Sequence, residues 1–341
     1  MTQAPPFSVI SGAQVHDAVA GRERQVIEMV ETAYRLHGEG LTVNPDSYFL
    51  RFPDRPSDRI IALPASVKGD VGVHGIKWIS SFPGNVANGI PRASAVLILN
   101  DAESGYPFAC LESSIISASR TAASAALAAG ALADARGDRP RRVGFIGAGL
   151  IARYVHTYLA AHGFAFDALG VHDLSAEHAE GFTGYLRRTE DGDVTVHDTA
   201  EALIRSSDLV VFATVAGEPH VTDPSWFAHG PLVLHVSLRD LSPEIILSSY
   251  NVVDDVEHCL KANTSPHLAE QRAGNRDFVA GTLYDVLTGK TVPPADGPVV
   301  FSPFGLGVLD LAVARHVYDQ VAASGALHTV PGFFHDLSRH G

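Results

Sequence analysis

Cysteine is nearly absent. Cys110 and Cys259 are the only two in 341 residues. They stand far apart, without CxxC or zinc-ligand spacing. That excludes a disulfide framework and reads as two reduced thiols, as in a cytoplasmic protein. The 17 histidines are scattered, with no HExxH or comparable ligand pair, so no metal is expected. Positive charge is also in deficit. Lys and Arg number 25 against 38 Asp and Glu, a formal net charge of −13, which argues against nucleic acid or an anionic membrane as partner. No run of 18 apolar residues occurs, so no transmembrane helix is expected. The start, MTQAPPFSVI, lacks a basic segment followed by an apolar core, so no secretory signal is read. No repeat or low-complexity segment is visible. What remains is a chain 46% hydrophobic and 18% charged, able to bury a large core and long enough for two domains.

The most informative stretch is VGFIGAGLIARYV, residues 143 to 155. An apolar run of strand length is broken by Gly147, Ala148 and Gly149, and a helix pattern follows from Leu150. This is G-x-G-x-x-A opening a strand–turn–helix unit, the context that a dinucleotide fingerprint requires. Gly147 suits the tight turn, Gly149 a close approach of the backbone to pyrophosphate, and Ala152 close helix–strand packing. The pyrophosphate would meet the free N–H groups at the helix start, among them those of Leu150 and Ile151. A second strand, ALGVHD, ends in Asp173, 173 − 147 = 26 residues after the first glycine, near the expected spacing of ~20. A carboxylate there accepts from both ribose hydroxyls and repels a 2′-phosphate, so NAD is favoured over NADP. The bland alternative is a glycine-rich βα turn with no ligand.

In chain order, FSVI reads as a strand. Ser11 reads as an N-cap, and Val15 to Leu36 reads as one helix closed by Gly38 and Gly40. SYFLRF, RIIALPASV, VGVHGIKWI and ASAVLILND read as strands, with a loop over 80 to 92. FACLES leads into a helix over 115 to 133, rich in Ala and Ser, with Arg120 as its one charge. From 141 strands alternate with helices, which implies a doubly wound parallel sheet. Strands are expected at RRVGFIG, FDALGVHD, VTVHD, DLVVFATV, LVLHVS and YNVVDD. Helices are expected after 149 and around 175 to 188, 199 to 206 and 256 to 272. DVLTGKTVPPADGP reads as a linker, and the last helix is expected to return to the first domain. The fold class is therefore α/β: a Rossmann domain over 136–298, with a discontinuous α+β domain for substrate binding and dimerisation over 1–135 and 299–341. That domain's strands are apolar on more than one face, which points to a homodimer.

In an open α/β sheet the ligand lies outside the carboxyl ends of the strands, which places Thr214 and Asp240 near the nicotinamide. Asp240 is the proton-handling candidate; the alternative is an N-cap for the helix starting at Ser-Pro-Glu, where Ser242 competes. Lys77 lies in the apolar strand HGIKWIS, Arg51 in YFLRF, Arg92 at the end of a Pro-Gly loop and Arg120 on the small-residue helix. Four isolated cations in apolar settings of an acidic chain look like carboxylate clamps; each alone is equally a solvated surface residue.

GIKWISSFPGN, ILNDAESGYPFACLE, SASRTAASAALAA, the GAG turn, FATV, HVSLRD and GLGVLDLAVA together resemble the ornithine cyclodeaminase/μ-crystallin family over nearly the whole length. The resemblance implies that Lys77 and Arg51 bind substrate carboxylate, with Arg55 and Arg59 as nearby alternatives to Arg51. It implies that Arg120 lies by both substrate and cofactor, that Leu238 and Gly305 touch the cofactor, and that Asp240 and Lys77 are catalytic. The chain departs from true cyclodeaminases. SLRD replaces a longer glycine-bearing stretch, IIALP lacks an acidic residue, and Arg92 stands where a smaller polar residue is expected. These departures look like the siderophore-pathway branch of N-(2-amino-2-carboxyethyl)-L-glutamate dehydrogenases, which form 2-oxoglutarate and L-2,3-diaminopropionate. The alternatives are an ornithine- or lysine-type cyclodeaminase and a non-catalytic, crystallin-like NAD(P)H-binding protein.

Overall fold

A computed structural model describes residues 5–335. Residues 1–4, which open the MTQAPPFSVI segment, and 336–341, which close the expected first domain, lie outside the described residues. The chain forms two units, Met1–Arg120 with Leu306–Gly341, and Thr121–Gly305.

The first unit opens with β1 (Ser8–Ile10), α1 (Gly12–Val19) and α2 (Glu23–Gly38). Ser11 caps α1 in a reciprocal box with Gln14, satisfying two otherwise orphaned N–H groups. The single helix expected over 15–36 is two. Ala20 is extended and Gly21 adopts φ +73°, a left-handed conformation that glycine tolerates and a helix interior does not. Then come β2 (Thr42–Val43), β3 (Tyr48–Phe52), β4 (Arg55–Val67), β5 (Val73–Ser81), β6 (Ala93–Asp101), β7 (Pro107–Glu112) and α3 (Ser114–Arg136), which continues into the second unit. Residues 83–88 of the expected loop form a 3-10 turn. The sheet order is β16-β1-β7-β6-β5-β4-β2, with β3 on β4 and β16 (His328–Thr329) at the end of the chain. By length and composition α3 would suffice to cross a bilayer, and 78% of its apolar window is buried within the protein.

In the second unit strands alternate with helices, except that a 3-10 turn (Pro224–Phe227) stands between β11 and β12: β8 (Arg142–Ile146), α4 (Leu150–Ala161), β9 (Ala168–His172), α5 (Ala176–Thr189), β10 (Asp193–Val196), α6 (Ala200–Arg205), β11 (Leu209–Phe212), β12 (Leu232–His235), α7 (Pro243–Leu247) and β13 (Tyr250–Val253). The helix expected over 256–272 is two, α8 (Val256–Cys259) and α9 (Ser265–Ala273). Ala262 and Asn263 turn at φ 54°, and Thr264 with Pro266 starts a new helix. The expected linker is partly structured, since α10 (Leu283–Leu287) follows β14 (Val279–Thr282). With β15 at Val299–Ser302, the order β10-β9-β8-β11-β12-β15-β13-β14 is parallel throughout.

The division falls at 120/121 and 305/306 rather than at 135/136 and 298/299. The physical reason at the second boundary is β15 (Val299–Ser302). It fills the gap between β12 and β13, so residues 299–305 stay with the Rossmann sheet. Only then does the chain return to the first unit as α11 (Gly307–Ala323).

Candidate active site

The dinucleotide turn has the geometry the fingerprint requires. Gly147 adopts φ +90°, and a Cβ there would lie 2.6 Å from the carbonyl oxygen of Ala213, so only glycine fits. A Cβ on Gly149 would meet nothing within 4 Å, leaving open space above the turn. Helix α4 has no side-chain cap, whereas Ser175 and Thr199 cap α5 and α6. Its first N–H groups are thus available to an anion. Ala152 is fully buried against the sheet. Leu150 is exposed and Ile151 half-buried. Asp173 accepts from Ala148 N–H on Oδ2 and from Ser175 N–H on Oδ1, both at 2.8 Å. Each oxygen keeps acceptor capacity for a ribose hydroxyl. Gly305 adopts φ +93° and donates its N–H to the buried Asp254 carboxylate at 2.6 Å. Phe304 N–H donates to the same carboxylate at 2.9 Å.

Asp240 is the centre of the second cluster. Its side chain is 0% exposed. Thr214 Oγ1 donates to Oδ1, where His220 Nε2 also sits at 3.1 Å. Ser237 Oγ donates to Oδ2 at 2.5 Å, with His235 Nε2 at 3.3 Å. Asp240 N–H donates to His235 Nε2, and His235 Nδ1 lies 3.3 Å from Ser302 Oγ. Burial pushes the carboxyl pKa up, but the hydrogen bonds from His220 and Ser237 and the adjacent His235 ring outweigh it and hold the group well below its ordinary range. Asp240 is therefore ionised at neutral pH. It caps no helix, because Ser242 takes the N-cap position of α7. Leu238, in the turn before it, is a non-glycine residue at φ 71°, a strained conformation of the kind that clusters at functional sites.

In the first unit, strand register gathers the cations. Residues directly opposite across paired strands share a face. Arg51 pairs Arg59, Arg59 pairs Ser81, and Leu63 pairs Lys77. Arg51, Arg59, Lys77 and Ser81 thus lie on one face of the sheet, and Arg92 Nη1 donates to Ser81 Oγ at 2.9 Å. Arg92 does not pair with Asp101, which accepts from Ser104 and Glu103 instead. Arg55 is held by Asp54, Asp58 and the Phe52 ring. Lys77 is buried. Its Nζ donates to Asp310 Oδ2 at 2.7 Å and to Ser117 Oγ at 3.2 Å. Arg120 Nε donates to the other oxygen of Asp310 at 3.1 Å. Burial lowers the Lys77 pKa to about 8. Asp310 opposes the shift and the positive charge of Arg120 adds to it.

The structure thus assembles three groups: Gly147, Gly149, Leu150, Ile151 and Asp173 around the turn; Thr214, Leu238 and Asp240 in one cluster; and Arg51, Lys77, Arg92 and Arg120 with the first unit's sheet. Sequence reasoning missed Asp310, His220, His235 and Ser237. Asp310 is an acid alone on the apolar stretch GVLDLAVA, a signal for a buried partner of Lys77. His220 immediately follows TVAGEP, the segment at the carboxyl end of a strand. Among the described residues no group of three His, Cys, Asp or Glu side chains is placed to hold a metal.

The profile of the ornithine cyclodeaminase/mu-crystallin family matches residues 13–325. The chain is 27% identical to the N-((2S)-2-amino-2-carboxyethyl)-L-glutamate dehydrogenase of Staphylococcus aureus, over 91% of this chain and 94% of that protein. Among solved structures it is similar to CmnK, at 33% identity and a TM-score of 0.86, covering 97% of this chain and all of that one. It is also similar to an archaeal alanine dehydrogenase dimer with bound NAD, at 25% identity and a TM-score of 0.85, covering 96% of this chain and all of that one.

Proposed function

We propose, from the premise that the chain belongs to the ornithine cyclodeaminase/mu-crystallin family, that it is an NAD-dependent dehydrogenase acting on the secondary amine of N-(2-amino-2-carboxyethyl)-L-glutamate. The products are 2-oxoglutarate, L-2,3-diaminopropionate and NADH. The observation that carries this reading is the cationic sheet face. Arg51 stands directly opposite Arg59 across β3 and β4, which sets two guanidinium side chains side by side. With Arg92 and Lys77 on the same face, the unit has cations enough for a substrate with three carboxylates. A diamino acid, with one carboxylate and two ammonium groups, suits such a face poorly.

NAD, when bound, accepts the hydride from the glutamate α-carbon. The open N-terminus of α4, the glycine turn and Asp173 fit its pyrophosphate and adenosine ribose. Lys77, Arg51 and Arg92 hold carboxylates, Arg by a planar fork and Lys as a point charge. Arg120, fixed by Asp310 through Nε, keeps its terminal nitrogens for a further anionic contact. The cluster around Asp240 manages protons. One leaves the substrate ammonium before hydride loss gives the protonated imine, one is taken from the water that adds to that carbon, one is returned to nitrogen as the C–N bond breaks, and the remaining hydroxyl proton leaves as the ketone forms.

The test is product analysis after incubation with NAD and the synthetic adduct or L-ornithine. Equal amounts of 2-oxoglutarate and L-2,3-diaminopropionate from the adduct are expected. Proline from ornithine, with the adduct untouched, would assign a cyclodeaminase instead.

A further inference from the structure

Asp240 is the expected proton acceptor, yet its carboxylate is fully buried and already occupied. A carboxylate offers about four lone-pair directions. Thr214 and His220 take those of Oδ1, and Ser237 and the His235 ring lie against Oδ2. With no part of the side chain exposed, neither water nor an amine reaches it. The one member of the cluster that reaches solvent well is His220, whose side chain is 44% exposed. Its backbone is locked to the same residue, with His220 N–H and Val221 N–H both donating to the Asp240 carbonyl at 3.0 and 2.9 Å.

We propose that His220 is the group that exchanges protons with substrate and water, and that Asp240 is its fixed counter-charge. This rests on the reaction proposed above. An ionised carboxylate only accepts, so the contact at Oδ1 puts the imidazole proton on Nε2. That leaves the Nδ1 lone pair outward, with no protein partner among the described residues. Carboxylate, imidazole and reacting atom then stand in the order used wherever an acid fixes the tautomer of a catalytic histidine. As water adds to the carbon of the protonated imine, its O–H bond breaks, the C–O bond forms, the C=N π pair returns to nitrogen and Nδ1 takes the proton. Asp240 stabilises the resulting imidazolium. The same proton passes to the diamine nitrogen as the C–N bond breaks, and Nδ1 takes the remaining hydroxyl proton as the ketone forms. Behind the carboxylate, His235 is hydrogen-bonded to buried groups and cannot substitute for His220. Glu218 and Asp223 are the other acids of the loop, and Asp223 caps the turn at 224–227.

Two measurements test this. In the first, His220→Ala and His220→Gln are compared with the wild type on the adduct. Turnover is expected to slow by roughly two to four orders of magnitude, with NADH affinity within about twofold and partial recovery of His220→Ala by added imidazole. A structural role alone gives no rescue. Full activity of His220→Ala, or a loss that imidazole does not touch, would overturn the proposal. In the second, 15N shifts of histidine-labelled enzyme report the tautomer without substrate. The proton is expected on Nε2 of His220 in the wild type, with that preference lost in Asp240→Asn; a proton on Nδ1 would overturn the proposal. If the wild type leaves the adduct unchanged, the substrate reading fails, and the tautomer measurement still decides the role of His220.

Discussion

Lys77 is an amine that the fold keeps out of water. With a pKa of about 8 it is charged at neutral pH and neutral in mild alkali. Carboxylate binding through Lys77 should weaken as pH rises through about 8, seen as a rising KM for the adduct; a KM flat to pH 10 would remove Lys77 from the substrate contact. The effect on stability has the opposite sign. Between about 8 and the ordinary value of 10.5, the unfolded chain binds the proton that the folded chain has lost, so this group's penalty is relieved as pH rises. Asp173 makes a second prediction. Asp173→Asn removes the charge while keeping one acceptor, so NADH should bind more weakly by about 1.5–3 kcal/mol, with a smaller loss for NADPH. Titration by cofactor fluorescence measures both, and an unchanged ratio would remove Asp173 from the ribose. Arg92→Ala should lower kcat/KM for the adduct by roughly 10- to 100-fold, from the ~1.5–3 kcal/mol of a charged hydrogen bond. NADH affinity should not change. At this scale the sequence alone put Gly147 and Asp173 in a strand–turn–helix pattern and Asp240 at a strand end, and left Lys77 open between an outward-facing strand residue and a buried cation. It marked Asp310 only as an acid alone on an apolar stretch and could not show its two partners, 233 and 190 residues away in the chain.

Helix α11 returns from the second unit to the first with Asp310 in its first turn, and Asp310 is what makes the buried cations tolerable. Asp310→Ala leaves Lys77 and Arg120 facing each other without a counter-charge. A loss of about 3–5 kcal/mol is expected from such a broken buried pair, read as a lower melting temperature. A variant as stable as the wild type would mean that the lysine simply loses its proton. The strands and the alternation of the second unit were legible, since periods of two and of 3.6 are local properties. The breaks at Gly21 and at Ala262–Asn263 were not, because the apolar spacing continues across them while the backbone does not. The place of β15 between β12 and β13 was also hidden, because strand order is a non-local choice.

For the whole molecule, the other face of the first unit's sheet makes the prediction. Tyr48, Ala62, Trp78 and Val96 are in register across four strands. Tyr48 is 80% and Trp78 41% exposed in the single chain. An apolar face of this kind marks an interface, and a closed twofold dimer is the commonest way to cover one. Wild-type protein should run as a dimer by light scattering, and Trp78→Asp with Val96→Lys should give monomers; a monomeric wild type would contradict this.

The stoichiometry of cofactor reduction tests the central claim most directly. With limiting adduct and excess NAD, absorbance should rise until one NADH has formed for each molecule of adduct consumed, with L-2,3-diaminopropionate equal to both. Consumption of an amino-acid substrate with no net NADH would contradict a dehydrogenase and describe a cofactor reduced and reoxidised within each turnover.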